Sequence, residues 1–221
     1  QRRRARHPGP CRRSLNDGDV EAIRNEVPTV QYASGSLRGN TQVVFAENNA
    51  STSWQGVQDD WFAINDWQIA DGAGFQANVY AGSAKPVILG ETVRKTLFGE
   101  DSGIGQTVRL GRVPFTVVGT LKPKGQGGFG QDQDDMVVVP LETARRRLSN
   151  SQSMPPGAVQ QISVRIDDAR NLGSAQGEIE ALLRQRHKIE PGAEDDFAVR
   201  NISQIVATRT ATTNLMSKLL G

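Results

Sequence analysis

The sequence predicts an α+β fold: a mixed βαβ-type subdomain formed by both ends of the chain, with a strand-rich second subdomain inserted into it. The middle of the chain is dense in β-branched and aromatic residues, arranged in the short runs that fit half-buried strands. The first part has the pattern of a helix followed by strands, and the last part that of strand–helix–strand. Because neither end can bury both of its faces alone, we expect the two ends to pack together.

Composition and hydrophobic patterning set the predicted boundaries. The final segment becomes more apolar toward Gly221, so we expect a helix there that leads into a membrane segment. The predicted segments are a disordered Arg-rich linker or tail (1–13), the βαβ-type subdomain (14–59 with 158–203), the inserted strand-rich subdomain (60–157) and the terminal helix (204–221).

Local patterns place the individual elements. Asn16 or Asp17 caps a first helix that Pro28 stops, and the dipeptides Gly39-Asn40 and Asn48-Asn49 indicate turns. The predicted strands are 30–37, 41–47, 51–57, 85–89, 107–110, 113–121, 136–140, 159–166 and 197–202. The later predicted helices are 91–98, 141–148 (with Arg145, Arg146 and Arg147 on its surface), 172–187 and 204–220.

The charge of the chain is unevenly distributed. The formal net charge is +2, but residues 1–13 hold six arginines and no acid, so the remainder carries 20 basic and 24 acidic residues. A slightly acidic folded part makes a poor nucleic-acid binder, because phosphate contacts need a positive face. We therefore expect no nucleic-acid partner.

Cysteine and histidine are too scarce for a metal site or a histidine-based catalytic pair. Cys11 is the single cysteine, and His7 and His187, which falls in a polar helix end, are the two histidines. No apolar run approaches the roughly 20 residues that span a bilayer. Since residue 1 is not Met, we expect the chain to be a part of a longer protein.

The loop between the strands 113–121 and 136–140 is the strongest candidate for a presented surface. It is rich in Gly, Gln and Asp, which belong at a solvated surface. Gly125, Gly127 and Gly130 match G-x-G-x-x-G, but acidic residues and a strand follow where a dinucleotide site needs a helix N-terminus. A calcium site is an alternative, although the EF-hand spacing is missing. The predicted partner-binding residues are Gln126, Phe129, Gln131, Asp132, Gln133, Asp134 and Asp135, with Asp132, Asp134 and Asp135 dispensable for folding.

A second candidate is the aromatic cluster of Trp61, Phe62 and Trp67. We favour a core role for these rings, since large aromatic side chains dominate core energetics. The alternative is a platform that contacts a substrate.

No pattern predicts an enzyme. The sequence has no P-loop and no G-x-S-x-G elbow, and its spacing nominates no carboxylate pair. We expect no catalytic residue, no metal and no cofactor.

Four stretches together resemble one family. They are SLNDGDVEAI, STSWQGVQDDWF, VILGETVRKTLFG and GIGQTVRLGRVPFTVVGTLKPKGQGGFGQDQDDMVVVPL. They resemble the periplasmic core domain of macrolide-exporter-type ABC transporter permeases, the MacB-like group related to FtsX. The likeness covers about residues 14–205.

The resemblance implies a domain held between the first two transmembrane helices of a permease in the cell inner membrane, on its periplasmic face. It implies a homodimer of the full-length permease that works with an ATP-binding domain or subunit. In tripartite pumps of this group, the further partners are a periplasmic adaptor protein and an outer-membrane channel. The domain would transmit ATP-driven motion to the export of a drug, peptide or lipid-type substrate, without chemistry of its own.

Two other functions remain open at this stage. One is a substrate-capture module that binds a peptide, lipid moiety or lipoprotein in a groove beside Trp61 and Trp67. The other is a free-standing hydrolase. A pocket of a few hundred Å³ lined by the aromatic rings would favour capture, and converging carboxylates would favour the hydrolase.

Overall fold

The computed structural model describes residues 14–75, 85–127, 130–149 and 154–201. The described residues form five α-helices, one short 3-10 helix (Ala169–Asn171) and eight strands. The helices are α1 (Asp17–Glu26), α2 (Asp60–Ile64), α3 (Glu91–Phe98), α4 (Leu141–Arg147) and α5 (Leu172–His187). The strands are β1 (Val30–Phe45), β2 (Asn48–Val57), β3 (Ile69–Gly72), β4 (Pro86–Leu89), β5 (Thr107–Leu110), β6 (Val113–Leu121), β7 (Met136–Pro140) and β8 (Gln161–Ile166).

All eight strands belong to one mixed sheet. Its order is β2-β7-β4-β6-β5-β1-β8, with β3 paired to β6, and β1 pairs with β2 as well. These pairings close a ring of six strands, β1-β2-β7-β4-β6-β5. The β2–β7 and β4–β6 pairs are parallel, whereas β1–β2, β4–β7 and β5–β6 are antiparallel. The predicted α+β class is confirmed.

The chain divides into two compact units. One includes Ala22–Gln31 and the described residues 166–201, among them α5. The other consists of Ser14–Glu21 and Tyr32–Arg165, and it holds almost all of the sheet. The predicted boundaries of a subdomain with an insertion stay a prediction.

The predicted turn at Gly39 is wrong, because β1 runs straight through it. Gly39 pairs with Trp54 on β2, and a Cβ at Gly39 would lie 2.8 Å from atoms of the Trp54 indole. Glycine is needed here so that a buried ring can approach the backbone closely. Within a strand, glycine can indicate such a close approach as well as a turn or a bulge. The turn of the hairpin comes later, at Ala46 and Glu47, where Ala46 has a φ of 51°.

Three central strands are buried on both faces. In β4, Val87 and Leu89 join an apolar cluster together with α3 and α4, whereas Ile88 joins a second cluster together with Trp61 of α2. β7 alternates in the same way, and β6 contributes residues to both clusters. Continuous apolar runs are typical of strands covered on both sides, which explains why all four residues of β4 are buried.

The other differences from the prediction lie near the two ends of the chain. Residues 197–201 form no strand, and Ile202 and the predicted helix 204–220 lie outside the described residues. Helix α5 begins and ends as predicted. At the first helix, Asn16 is the cap: its Oδ1 accepts a hydrogen bond from the Asp19 N–H (3.2 Å), and Asp19 accepts one from the Asn16 N–H (3.0 Å). No described helix has both the length and the apolar character to cross a bilayer.

Helix α3 is fixed at both ends by one arginine. The Arg94 guanidinium donates to both carboxylate oxygens of Glu91, at 2.8 and 3.0 Å, and to the carbonyl oxygens of Gly99 and Asp101 beyond the helix C-terminus. The hydrogen bond from Arg94 holds the pKa of Glu91 below its ordinary value, against the opposing effect of burial, and Lys95 adds to the lowering. Glu91 therefore stabilises the fold in its ionised form.

This geometry predicts a pH-dependent effect for Glu91→Gln. A lowered pKa in the folded state means that the stabilisation is fully present above the unfolded pKa, near 4.5, and is lost as the pH falls through the folded value. We expect the free energy of unfolding to fall by about 1 kcal/mol at pH 7, and the difference from wild type to vanish in acid. Urea unfolding from pH 7 down to pH 2 measures it. Glu47→Gln, at the exposed hairpin turn, is the control, and a difference that stays constant over the pH range would contradict the assignment.

Candidate partner-binding loop and aromatic cluster

The residues between β6 and β7, here named the 122–135 loop, fold back on themselves as a small hairpin. Gln126 and Asp132 form an antiparallel bridge. The Gly127 N–H donates to the Gln131 carbonyl at 2.8 Å, and the Gly130 N–H donates to the Gly127 carbonyl at 2.9 Å. The loop is thus an internally bonded structure. Phe129 lies outside the described residues.

Asp134 forms the base of the 122–135 loop. Its side chain is buried, and its two carboxylate oxygens accept the backbone N–H groups of Lys124 and Gly125, each at 2.8 Å. A carboxylate that binds two backbone donors in this way joins the two arms of the hairpin. The expectation that all three acids are dispensable for folding stays a prediction, and this geometry argues against it for Asp134.

The other two acids are placed differently. Asp132 is exposed, with one oxygen accepting the Asp134 N–H at 2.9 Å and the other accepting the Thr92 hydroxyl of α3. Asp135 is half-buried, and its backbone carbonyl accepts the Ser53 hydroxyl at 3.2 Å. The carboxylate oxygens of Asp132 and Asp134 already bind donors of the protein, and no described group of three His, Cys, Asp or Glu residues could hold a metal ion. The geometry does not support the calcium alternative.

Beyond Gly125, the described residues of the loop expose mainly side-chain amide groups. Gln126, Gln131 and Gln133 are exposed beside Asp132. Primary amides both donate and accept hydrogen bonds, so this tip offers polar contacts to the backbone of another protein. Because Asp134 fixes the base, such a contact would require little ordering of the loop.

The aromatic cluster separates into a buried ring and two half-buried rings. Trp61 is 6% exposed and lies in the second apolar cluster, and its ring meets Phe62 edge to face, with centroids 5.4 Å apart. Phe62 in turn meets Phe75 at 5.8 Å. The core role favoured for these rings holds for Trp61. Substrate contact by Phe62 and Trp67 stays a prediction.

The face of Trp67 is occupied by a cation of the protein itself. The Lys124 Nζ lies 4.2 Å from the centroid of the ring and donates to the Asn65 carbonyl at 2.6 Å. Arg165 holds the same segment, donating to the Ala63 carbonyl at 2.6 Å and to Asp66 at 2.8 Å. The hydrogen bond and the charge of Arg165 lower the pKa of Asp66. Two cations thus fix the residues that follow α2.

Sequence reasoning missed an ionic attachment in the unit that contains α5, here named the C-terminal clasp (Arg184, His187, Asp195 and Asp196). Arg184 donates to the carbonyl oxygens of Glu190 and Ala193, at 3.0 and 3.3 Å, and pairs with Asp195. His187 is buried, and its Nδ1 lies 2.8 Å from an Asp196 oxygen. The clasp fastens residues 188–197 to the last turn of α5.

A signal for the buried histidine was present in the sequence. The buried residues of α5 recur every four positions and thus share one face of the helix: Ala175, Ile179, Leu183 and His187. A histidine at the next position of an apolar stripe is expected to be buried. The expectation of a polar helix end was wrong because it considered only the neighbouring charges.

A second attachment, the Arg145 staple, joins α4 to the start of α1. Arg145 binds both carboxylate oxygens of Asp17, at 2.5 and 2.7 Å, pairs with Glu142 and donates to the carbonyl oxygens of Gly157 and Ala158. Its side chain is only 14% exposed, so the expected surface position is wrong for this arginine. Burial disfavours the charged form, but the bonds to Asp17 outweigh it and raise the pKa of Arg145.

The geometry of the loop predicts different effects for two neighbouring acids. Asp134→Ala should lower the free energy of unfolding by about 2–3 kcal/mol, because it leaves two backbone N–H groups without their charged acceptor. Asp135→Ala is the matched control and should cost less than about 0.5 kcal/mol. Urea unfolding followed by tryptophan fluorescence measures both. Equal midpoints for the two variants would contradict the structural role of Asp134.

The sequence of this chain is similar to those of several exporter proteins. The family model described as MacB-like periplasmic core domain matches residues 2–182. The macrolide export ATP-binding/permease protein MacB of Rhodospirillum rubrum is 34% identical over 209 residues, covering 94% of this chain and 31% of the relative. The pyoverdine export ATP-binding/permease protein PvdT of Pseudomonas entomophila is 33% identical, covering 92% of this chain and 30% of the relative. The chain therefore spans about a third of the length of these relatives.

Solved structures support the fold. The periplasmic region of MacB from Actinobacillus actinomycetemcomitans matches with a TM-score of 0.70 at 19% identity, over 89% of this chain and 83% of the other. The extracellular domain of the noncanonical ABC-type transporter YknZ from Gram-positive bacteria matches with a TM-score of 0.66 at 20% identity, over 85% and 90% of the two chains. At these identities, the likeness concerns the fold.

Proposed function

The chain belongs to the MacB-like periplasmic core domain family, and from this premise we propose that it is the extracytoplasmic domain of an ABC exporter permease. It catalyses no reaction, and it passes the ATP-driven motion of the permease on to the export of a drug, peptide or lipid-type substrate. The parent chain lies in the inner membrane as a homodimer, with this domain on the periplasmic face. Its partners are an ATP-binding domain or subunit, a periplasmic adaptor protein and an outer-membrane channel.

The observation that carries this proposal is the C-terminal clasp. A domain that follows the motion of another part of its chain needs a stiff connection, because a flexible segment would absorb the displacement. Residues 188–197 have no regular structure, yet Arg184 and His187 attach them to α5 through bonds to Glu190, Ala193, Asp195 and Asp196. These contacts convert an irregular segment into a stiff one.

The Arg145 staple supports the same function in the other unit. It ties Asp17 at the start of α1 to α4 and to the carbonyl oxygens of Gly157 and Ala158. A half-buried, bidentate arginine–carboxylate pair resists displacement better than a fully exposed pair does. In each unit, an arginine thus attaches an irregular segment to a helix.

The 122–135 loop is the proposed contact with the adaptor or the sister subunit. Its exposed glutamines and Asp132 stand on a base that Asp134 fixes, and Phe129 belongs to the same proposal. The alternative, capture of substrate by the aromatic cluster, has less support. Trp61 is buried, and Lys124 lies over the face of Trp67.

Weakening the C-terminal clasp tests the transmission of motion. In the parent permease, Arg184→Ala should leave ATP hydrolysis unchanged but lower the export of a macrolide probe several-fold, because residues 190–195 then lose the bonds that Arg184 makes to them from α5. ATP hydrolysis and probe accumulation are measured on the same cells and membranes. Arg147→Ala, which removes an exposed arginine from α4, is the control. Unchanged export in the Arg184 variant would remove the clasp from the mechanism.

Removing the outward amides of the loop tests the partner contact. Gln126→Ala combined with Gln131→Ala should keep the unfolding midpoint of the chain, since the hydrogen bonds through Asp134 remain. The amount of adaptor or sister subunit recovered with the tagged permease should fall. Glu47→Ala at the β1–β2 turn is the matched surface control. Recovery equal to wild type would show that this tip makes no such contact.

A further inference from the structure

A polar depression of about 630 Å³ lies over the β1–β2 hairpin where the chain enters β8. This volume falls in the range of small-molecule sites. The depression lies within one compact unit, and none of its lining residues belongs to the 122–135 loop or to the aromatic cluster, although Ser53 bonds to the Asp135 carbonyl at the end of that loop. The residues that matter for its chemistry are Ser36, Arg38, Asn40, Ser53, Gln55 and Gln160.

The hairpin places these side chains in two matching rows. Ser36, Arg38 and Asn40 alternate along β1 and so share one face. The strand register sets Gln55 opposite Arg38 and Ser53 opposite Asn40. Successive side chains of a strand point to opposite faces, and the intervening Leu37 and Trp54 are buried in the first apolar cluster. The polar rows therefore stand on a backbone that the core holds rigid.

Gln160 forms a fixed wall of the depression. Its backbone N–H donates to the Ser36 carbonyl at 3.0 Å, and its side-chain Oε1 accepts the Arg38 N–H at 2.9 Å. Main chain and side chain of one residue are thus both bonded to β1. The wall keeps its position without a ligand, which lowers the ordering cost of binding.

The lining selects a polar ligand with one negative charge. It offers hydroxyl, amide and guanidinium groups, and no carboxylate and no aromatic ring is among its residues. Arg38 is exposed and has no ion-pair partner in the part of the chain that the structure describes. A guanidinium binds a carboxylate through two parallel hydrogen bonds, and primary amides pair with peptide groups.

We propose that this depression binds a short peptide through its carboxylate. Arg38 holds the carboxylate, and Asn40 and Gln55 bond the peptide groups next to it, while the Ser53 hydroxyl, which donates to the Asp135 carbonyl, accepts a peptide N–H. The proposal does not depend on the transmission of motion, and it gives the domain a ligand site separate from its partner-contacting loop.

Isotope-labelled NMR and calorimetry on the 221-residue chain test the site. The probe is acetyl-Ala-Ala-Ala, whose C-terminal carboxylate is its one charge, compared with its uncharged analogue acetyl-Ala-Ala-Ala-amide. The charged peptide should shift the backbone amide signals of Arg38, Gln55 and Gln160, and the analogue should bind about tenfold more weakly, the loss expected for one charge-assisted pair. Arg38→Ala should weaken binding of the charged peptide by about the same factor.

The design separates loss of binding from loss of folding. The bond from Arg38 to Gln160 uses the backbone N–H, so Arg38→Ala retains it, and unfolding midpoints should match wild type. Arg109→Ala, an exposed arginine on β5, is the control and should leave binding unchanged. The proposal is overturned if the analogue binds equally well, if Arg38→Ala has no effect, or if no signal in the depression shifts at millimolar peptide. Equal binding of inorganic phosphate would also overturn it, since the depression would then bind any anion.

Discussion

The structure depends on one constraint: the central strands must be covered on both faces. β4, β6 and β7 are apolar at nearly every position, so they are stable only between two layers of side chains. Residues of α3 and α4 contribute to one apolar cluster and Trp61 of α2 to the other. These helices arise from separate parts of the sequence, and the sheet therefore brings distant segments to fixed positions.

Close approach of these layers explains two glycines that are not turn residues. A Cβ at Gly56 would lie 2.3 Å from the Cβ of Ala144, where α4 packs on β2. A Cβ at Gly90 would lie 2.2 Å from the Asp134 carbonyl oxygen, where α3 starts beside the 122–135 loop. Packing of the strands thus reaches the base of the loop directly, because Gly90, the residue before α3, lies against Asp134, which holds the loop together.

The local elements of this fold were predictable from the sequence. Helix α3 and strands β5, β6 and β7 have the predicted bounds, since each is a short periodic run between clear turn residues. The length of β1 was not predictable, because the sequence does not show whether Gly39 forms a turn or makes room for a neighbouring ring. Only the register with Trp54 distinguishes the two cases.

The ionic attachments were largely beyond sequence reasoning, because each joins residues that are distant in sequence or depends on burial. Asp17 and Arg145 lie 128 positions apart, and no local pattern relates them. Asp132, Asp134 and Asp135 form one acidic run in the sequence, yet they differ in burial and in hydrogen bonding. Composition alone predicted that the loop lies at the solvated surface. Geometry was needed to assign a structural role to Asp134 within it.

Arginine recurs at these attachments for a physical reason. A guanidinium has five donors in a fixed plane, so a single side chain bonds a carboxylate and several free carbonyl oxygens together. Arg94, Arg145 and Arg184 each do this beside the end of a helix, where carbonyl oxygens or chain turns need partners. A lysine at the same positions would supply a point charge without the planar fork. Arg38 differs from these three: it has the same donors, but no carboxylate of the described residues pairs with it, and this difference is why we propose that it binds an external ligand.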